Sequence, residues 1–145
     1  MIKLEFSVSI NAPVAQVWEI MIDPESYKAW TRPFCEGSYF IGSWDEGQQI
    51  RFLSPDGGGM TSVVAENRFL EYISIKHLGF IKGGIDDTES EEVKSWAPAY
   101  ENYTFTSNGN ATIVDVDMDI TADFEAYMLD TWPKALAVLK SLCEE

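Results

Sequence analysis

The sequence predicts an α+β fold in which a curved antiparallel sheet packs around one long C-terminal helix. Three observations support this prediction. Residues 122–145 carry apolar side chains at helical spacing, several earlier segments alternate between apolar and polar residues as strands do, and an Asn-Gly pair joins the last two of these segments. Because the helix presents a wide face of large apolar side chains, it needs a broad surface to pack on. We therefore expect the sheet to curve around it.

The length and composition are those of one domain, which we place at residues 1–145. A chain of 145 residues buries roughly 70% of its unfolded surface, so one hydrophobic core suffices. Its two cysteines, Cys35 and Cys143, have neither the number nor the spacing of a disulfide framework, and Met1 leads directly into an alternating segment instead of a signal peptide. We expect a cytoplasmic protein with reduced thiols.

The charge of the chain argues against several kinds of partner. The formal net charge is -14 at pH 7, which repels nucleic acid and anionic lipid headgroups. No apolar run approaches the roughly 20 residues that a membrane span requires. We expect neither nucleic-acid binding nor membrane insertion. Aromatic residues make up 13% of the chain, which a lined cavity or an aromatic-rich core would explain equally well.

The first thirty residues predict a strand followed by two short helices. From Ile2 to Ile10, apolar residues alternate with Lys, Glu and Ser, which is the pattern of a half-buried strand. Pro13 suits a first helical turn, and apolar residues follow at helical spacing as far as Met21. Asp23 followed by Pro24 predicts the start of the second helix.

Later segments predict the rest of the sheet, about seven strands in all. They are Ser38–Trp44, a strand through Ile50 and Phe52, Met60–Glu66, Tyr72–Phe80, Tyr100–Ser107 and Ala111–Thr121. The first of these has aromatic residues at both odd and even positions. The pattern therefore leaves open whether Tyr39 or Phe40 points inward. Gly83 and Gly84 are expected to end the strand that begins at Tyr72.

The C-terminal helix is predicted to be the element around which the sheet is arranged. Its expected buried face consists of Phe124, Met128, Trp132, Ala135, Leu136, Leu139, Leu142 and Cys143. Pro133 lies inside this helix and cannot donate a hydrogen bond to the carbonyl of Leu129. We expect a kink there, with the half before it leaning over a pocket.

Three motifs resemble those of a known superfamily. They are INAPVAQVWEIMIDPESYKAW, GSWDEGQQIRF and TWPKALAVLKSL. Together they resemble the START-like (SRPBCC) superfamily over essentially the whole chain, and within it the heat-shock protein 90 ATPase activator-like branch. The resemblance implies a helix-grip fold, like that of the birch-pollen allergen, with about seven antiparallel strands around a long C-terminal helix. It also implies a cavity for lipids, hormones or polyketide-like molecules in many members.

The members of this superfamily include carriers, receptors, cyclases and chaperone activators, so the fold leaves three functions open. We favour a non-enzymatic domain that binds or carries a small apolar or amphipathic molecule between the sheet and the C-terminal helix. The second hypothesis is an interaction protein that stimulates a chaperone ATPase. The namesake activator has a separate N-terminal chaperone-binding domain for which 145 residues leave no room, so we expect no appreciable stimulation by this chain alone. The third is a cyclase or hydrolase that uses His77.

Strand parity and helical face select candidate residues for the wall of the cavity. They are Phe52, Ile75, His77, Trp96, Tyr103, Phe105, Met118, Phe124 and Met128. His77 is the only histidine of the chain and shares a strand face with Ile73 and Ile75, so it is expected to be a polar group on the inner wall. The sequence leaves three roles open for His77: a hydrogen-bonded core histidine, a ligand contact or a general base.

We expect no metal ion and no cofactor. One imidazole and two distant thiols do not make a zinc site. Asp115, Asp117 and Asp119 lie on one strand face about 6.6 Å apart, a spacing that suits a solvated surface better than a calcium site. The PDGGG loop at Pro55–Gly59 lacks the Gly-Lys-Ser/Thr ending of a phosphate-binding loop.

The acidic segment that follows Gly84 is expected to form a lid. Ser90 or Thr88 can cap a short helix whose apolar side includes Trp96, and Pro98 stops that helix. We expect Trp96 to lie over the mouth of the pocket, with a plain surface turn as the alternative.

Overall fold

The computed structural model describes residues 1–145 and confirms the predicted α+β class, with eight strands and four α-helices. In chain order the elements are β1 (Ile2–Ile10), α1 (Val14–Ile22), α2 (Pro24–Trp30), β2 (Tyr39–Gly42), β3 (Gln49–Leu53), β4 (Gly59–Arg68), β5 (Tyr72–Lys82), β6 (Ile85–Asp87), α3 (Glu91–Lys94), β7 (Ala99–Asn108), β8 (Ala111–Ile120) and α4 (Glu125–Glu144). A 3₁₀ turn at Ala122–Phe124 precedes α4. None of the helices has the length and apolar character to cross a membrane.

All the strands belong to one antiparallel sheet in the order β1-β8-β7-β5-β4-β3-β2, and β6 pairs with the end of β5. The strand β6 is absent from the sequence prediction, which ended the extended chain at Gly83 and Gly84. These two glycines instead have φ angles of 58° and 79° and return the chain against β5. With only three residues, β6 is too short for an alternating pattern to reveal it.

The beginning of the chain follows the prediction. Strand β1 pairs with β8 along its whole length, and α1 buries Val17, Trp18 and Met21. The carboxylate of Asp23 caps α2 by accepting hydrogen bonds from the backbone N–H groups of Glu25 and Ser26. These helices cover one face of the sheet beside α4 and join its hydrophobic core.

The structure resolves the open question in β2. Phe40 packs against the hydrophobic core, and its ring centroid lies 5.1 Å from that of Tyr27 on α2. Tyr39 is not among the residues that pack against this core. Phe40 points inward because it packs on α2. The sequence pattern of the strand alone does not contain this information.

Helix α4 buries Thr131, Trp132, Ala135, Leu136, Leu139 and Cys143. The prediction that Phe124 belongs to this buried face is wrong, since its side chain is 52% exposed. Phe124 ends the 3₁₀ turn, and the tighter rotation per residue of that turn displaces it from the stripe set by the α-helix. Before Thr131, only Met128 of this helix packs against the core.

Two irregularities in the β4–β5 pair determine which residues face each other. His77 pairs with Ser62 and Gly79 pairs with Thr61, so Leu78 is an extra residue in β5, and a second shift occurs between Val64 and Glu66. Such bulges bend a strand and redirect its side chains. The first bulge places the hydroxyl of Ser62 directly opposite the ring of His77.

Candidate functional site

A chain of polar side chains crosses three neighbouring strands on the face that α4 covers. At its centre, His77 of β5 lies between Ser62 of β4 and Glu101 of β7. The Ser62 Oγ is 2.6 Å from His77 Nδ1, and His77 Nε2 is 3.2 Å from Glu101 Oε1. Because an ionised carboxylate only accepts hydrogen bonds, the proton between His77 and Glu101 must reside on Nε2.

The chain of hydrogen bonds continues to Tyr103, whose hydroxyl donates to Glu101 Oε2. Glu101, Tyr103 and Phe105 alternate along β7, so all three point to the same face of the sheet. Phe105 and Tyr103 are buried in the hydrophobic core, so the carboxylate of Glu101 stands beside apolar neighbours. We name Ser62, His77, Glu101 and Tyr103 the polar chain.

The electrostatics of the polar chain centre on Glu101. Burial by itself would raise the pKa of Glu101, but the hydrogen bond and positive charge of His77, with the Tyr103 hydroxyl, lower this pKa below its ordinary value. Burial and the nearby Glu101 carboxylate raise the pKa of Tyr103 and that of Tyr27 on α2. Glu101 is therefore an ionised carboxylate near two neutral phenols at neutral pH.

Aromatic rings pack beside the polar chain. The ring of Phe52 lies 5.8 Å from that of His77, and Tyr27 lies 6.1 Å from Phe52. Trp44 packs on Phe52 and Phe40, and its indole Nε1 is buried without a hydrogen-bond partner. This wall combines apolar ring surface with one unused donor and one ionised carboxylate.

Seven of the nine predicted wall residues lie in the hydrophobic core or against it. Ile75, Tyr103, Phe105 and Met118 are core members, Phe52 and Met128 pack on the core, and His77 contacts Phe52. The backbone register places Glu101 between Ile75 of β5 and Met118 of β8. The structure thus places these seven residues in or beside one hydrophobic core.

The other two predicted residues lie apart from this group. The ring of Trp96 packs on Phe80, with centroids 4.9 Å apart, and its indole Nε1 is buried without a partner. Phe124 is half-exposed at the start of α4. Ser90 does cap α3, since its hydroxyl accepts a hydrogen bond from the N–H of Val93.

Sequence reasoning missed Ser62, Glu101 and Tyr27. The alternation that selected Tyr103 and Phe105 also includes Glu101, so the same pattern would have found the carboxylate. The position of Ser62 depends on the bulge at Leu78, and that of Tyr27 depends on the packing of α2. Neither the bulge nor the packing of α2 can be recognised from the alternation of residues within a strand.

Two cavities are prominent in the structure, and none of the nine predicted residues lines either of them. One, of about 220 Å³, lies between β1 and α4 beside Phe6 and Leu136. The other, of about 390 Å³, lies beside Leu78 and Val93, between β5 and residues 88–98, which contain α3 and which we name the α3 segment. No three His, Cys, Asp or Glu side chains converge as metal ligands.

The members of the polar chain differ in how far solvent can reach them. Ser62 is fully buried, so its hydroxyl is out of reach of a substrate. Both ring nitrogens of His77 are hydrogen-bonded to side chains, Nδ1 to Ser62 and Nε2 to Glu101. The side chain of Glu101 is 23% exposed, compared with 10% for His77, and is the most accessible charge of the group.

Solved structures of similar fold cover nearly the whole chain. The solution structure of the Aha1 dimer from Colwellia psychrerythraea has a TM-score of 0.75 at 19% identity, with 99% of this chain and 97% of that one covered. Protein MLL2253 from Mesorhizobium loti has a TM-score of 0.72 at 14% identity over 97% and 96%. DynU16, a protein in the dynemicin biosynthetic locus, has a TM-score of 0.72 at 18% identity, and this chain covers 46% of its length with 96% of its own. These similarities confirm the helix-grip fold.

A family model agrees with these structures. The model described as activator of Hsp90 ATPase homolog 1-like protein matches residues 11–144, which include every element from α1 to α4. None of the curated proteins compared with the chain matches it in sequence. The family match confirms the resemblance read from the three sequence motifs, and the chain belongs to the activator of Hsp90 ATPase homolog 1-like family within the START-like superfamily.

Proposed function

We propose that this protein binds a small amphipathic molecule between the sheet and α4, and that Glu101 recognises a hydrogen-bond donor of that molecule. The observation that supports this function is an ionised, partly exposed carboxylate on a wall otherwise made of aromatic and aliphatic side chains. Binding sites for small molecules commonly combine a mostly apolar wall with a few placed polar groups. A cytoplasmic location is part of the proposal.

The energetic cost of the polar chain supports a functional role. A hydrogen-bonded carboxylate within an apolar wall loses solvation, and apolar side chains of similar volume are often as stable in place of such a buried polar group. The fold already has a core of 23 buried apolar residues, several of which are neighbours of this group. A carboxylate retained in such surroundings has a use if it contacts a ligand.

The charges define the class of ligand. Glu101 offers only acceptor oxygens, and the whole chain carries a formal net charge of -14, so an anionic ligand is disfavoured at this site. The rings of Phe52, Tyr27 and Trp44 favour a flat apolar body. We infer a neutral or cationic aromatic or polycyclic molecule with a hydroxyl or amino group.

A titration with three matched probes tests this function. 2-Naphthol carries a donor, 2-methoxynaphthalene has the same body without a donor, and 2-naphthoate is anionic. We expect backbone NMR signals near His77 and Glu101 to shift, with 2-naphthol binding roughly tenfold more tightly than the methoxy compound, as a hydrogen bond to a charged group implies. At this site, as measured from the signals near His77 and Glu101, the anionic probe should bind most weakly.

Variants give the test its control. Glu101→Gln should remove the preference for 2-naphthol, whereas Glu5→Gln, on an exposed position of β1, should keep it. Native mass spectrometry of freshly purified protein provides a second readout through any molecule that co-purifies. Equal affinities for the two neutral probes, or no shifts at millimolar concentration, would contradict the proposal.

Stimulation of a chaperone ATPase is a second candidate, supported by the description of the family to which the chain belongs. The direct test is ATP turnover by purified heat-shock protein 90 with and without the protein. We expect no appreciable change, and a several-fold rise would favour this second function. The Glu101→Gln variant separates the two, because chaperone binding through an outer surface would be unaffected by it.

A further inference from the structure

Most of the positively charged side chains of this acidic protein form ion pairs, and only a few do not. Of its ten Lys and Arg residues, seven form ion pairs with Asp or Glu. The three without such a partner are Arg32, Lys76 and Lys94. Two of these three, Lys76 and Lys94, line the same cavity of about 390 Å³.

This cavity lies on the face of the sheet opposite the polar chain. Lys76 stands between Ile75 and His77 on β5, both of which face α4, so its side chain points the other way. The α3 segment covers the cavity from outside, contributing Lys94 and Ala97 to the wall. The site is thus separate from the one proposed above.

The wall combines apolar surface with the two ammonium groups. Its apolar part consists of Leu78, Val93, Ala97 and Pro98, and Val93 is fully buried. Thr88 adds a hydroxyl and Glu89 adds one carboxylate. Lys76 is partly buried and makes neither an ion pair nor a side-chain hydrogen bond, so its charge is poorly compensated.

We propose that this cavity binds a small amphiphilic monoanion, whose carboxylate lies between Lys76 and Lys94 and whose short apolar part contacts Leu78, Val93 and Ala97. Two ammonium groups without ion-pair partners, those of the partly buried Lys76 and the exposed Lys94, line a concave and partly apolar site, and they attract an anion in a protein that otherwise repels anions. Glu89 and the net charge of -14 favour one negative charge on the ligand over the two of a phosphate monoester. The volume is in the range of ordinary small-molecule pockets.

Titration with octanoate, followed by backbone NMR, tests the proposal, and octanamide is the matched neutral compound. We expect octanoate to shift the signals of Leu78, Val93 and Ala97 and to bind roughly tenfold more tightly than octanamide, since charge-assisted hydrogen bonds exceed neutral ones. Octyl phosphate should bind more weakly than octanoate.

Variants distinguish this site from general attraction to positive charge. Lys76→Gln and Lys94→Gln should each weaken octanoate binding by about fivefold to tenfold. Arg32→Gln also removes an unpaired positive charge, but one outside the cavity, and should leave the affinity unchanged. Signals elsewhere in these variants report whether the fold is kept.

Two results would overturn the proposal. One is the absence of signal shifts around the cavity at about 10 mM octanoate, a concentration that would nearly saturate a site with a Kd of about 1 mM. The other is equal binding of octanoate and octanamide, or equal loss in all three variants. A neutral naphthol at the polar chain should not compete with octanoate, so this test can fail while the function proposed for Glu101 stands.

Discussion

The hydroxyl of Ser62 lies 2.6 Å from His77 Nδ1, at a place where Ser62 is fully buried. This contact joins β4 to β5 beside the bulge at Leu78. On the other side of the ring, His77 Nε2 contacts Glu101, so the imidazole is held from both sides. The orientation of His77 and the position of the Glu101 carboxylate are therefore coupled.

Ser62→Ala removes the partner of a buried imidazole nitrogen. We expect the free energy of unfolding to fall by about 1–3 kcal/mol, the usual cost of leaving a buried polar group without its hydrogen bond. Urea denaturation measures this change. Ser74→Ala is the matched control, because Ser74 is a buried serine on β5 with no hydrogen bond from its hydroxyl to another side chain, and its replacement should cost much less. Equal losses in the two variants would contradict the role given to Ser62.

The lowered pKa of Glu101 predicts a pH dependence of stability. The ionised carboxylate stabilises the fold, and this contribution is complete above the pKa of an unfolded glutamate, about 4.3. It is lost as the pH falls through the lower pKa of the folded state. We expect Glu101→Gln to be less stable than wild type at pH 7, with the difference shrinking below about pH 4.3.

Urea denaturation at a series of pH values from 7 to 3 tests this dependence, with the wild type measured at each point. Ser74→Ala changes no titratable group, so its difference from wild type should stay constant over the same range. A difference for Glu101→Gln that also stays constant would show that His77 does not favour the ionised carboxylate.

Trp132 is expected to contribute strongly to the stability of the core. It is 3% exposed, and its ring contacts those of Phe34, Phe6 and Trp30. Trp132→Ala should lower the free energy of unfolding by roughly 3–5 kcal/mol, as large aromatic truncations in cores do. Phe124→Ala, at the exposed start of the same helix, should cost far less, and a loss below about 1 kcal/mol for Trp132→Ala would refute the core role.

Hydrogen exchange tests the mobility of the segment between β5 and β7. We expect the amides between Gly84 and Pro98 to exchange faster than those of the flanking strands, because β6 and α3 contain only three and four residues. Val93 is the buried contact of this segment, so Val93→Ala should speed the exchange further. If an apolar ligand of the polar chain also slows this exchange, Trp96 belongs to a lid as the sequence predicts. Protection equal to that of the strands would make the segment a fixed loop.

Periodicity within the sequence was sufficient for the elements that are long and two-faced. The alternation in β1 and β8 and the helical spacing around Trp132 are local properties, since a buried face requires apolar residues at the repeat of its own element. The inward position of His77 followed from the same alternation in β5. Three motifs then identified the superfamily, so the fold was predictable without a structure.

The arrangement of the polar groups depended on tertiary structure. Ser62 meets His77 only because Leu78 is an extra residue in β5, and Phe40, not Tyr39, joins the core because α2 brings Tyr27 against it. Lys76 and Lys94 line the same cavity because α3 packs on β5. Periodicity determines which side of an element is apolar, whereas bulges and long-range packing determine which polar groups meet, and these depend on contacts between residues far apart in the chain.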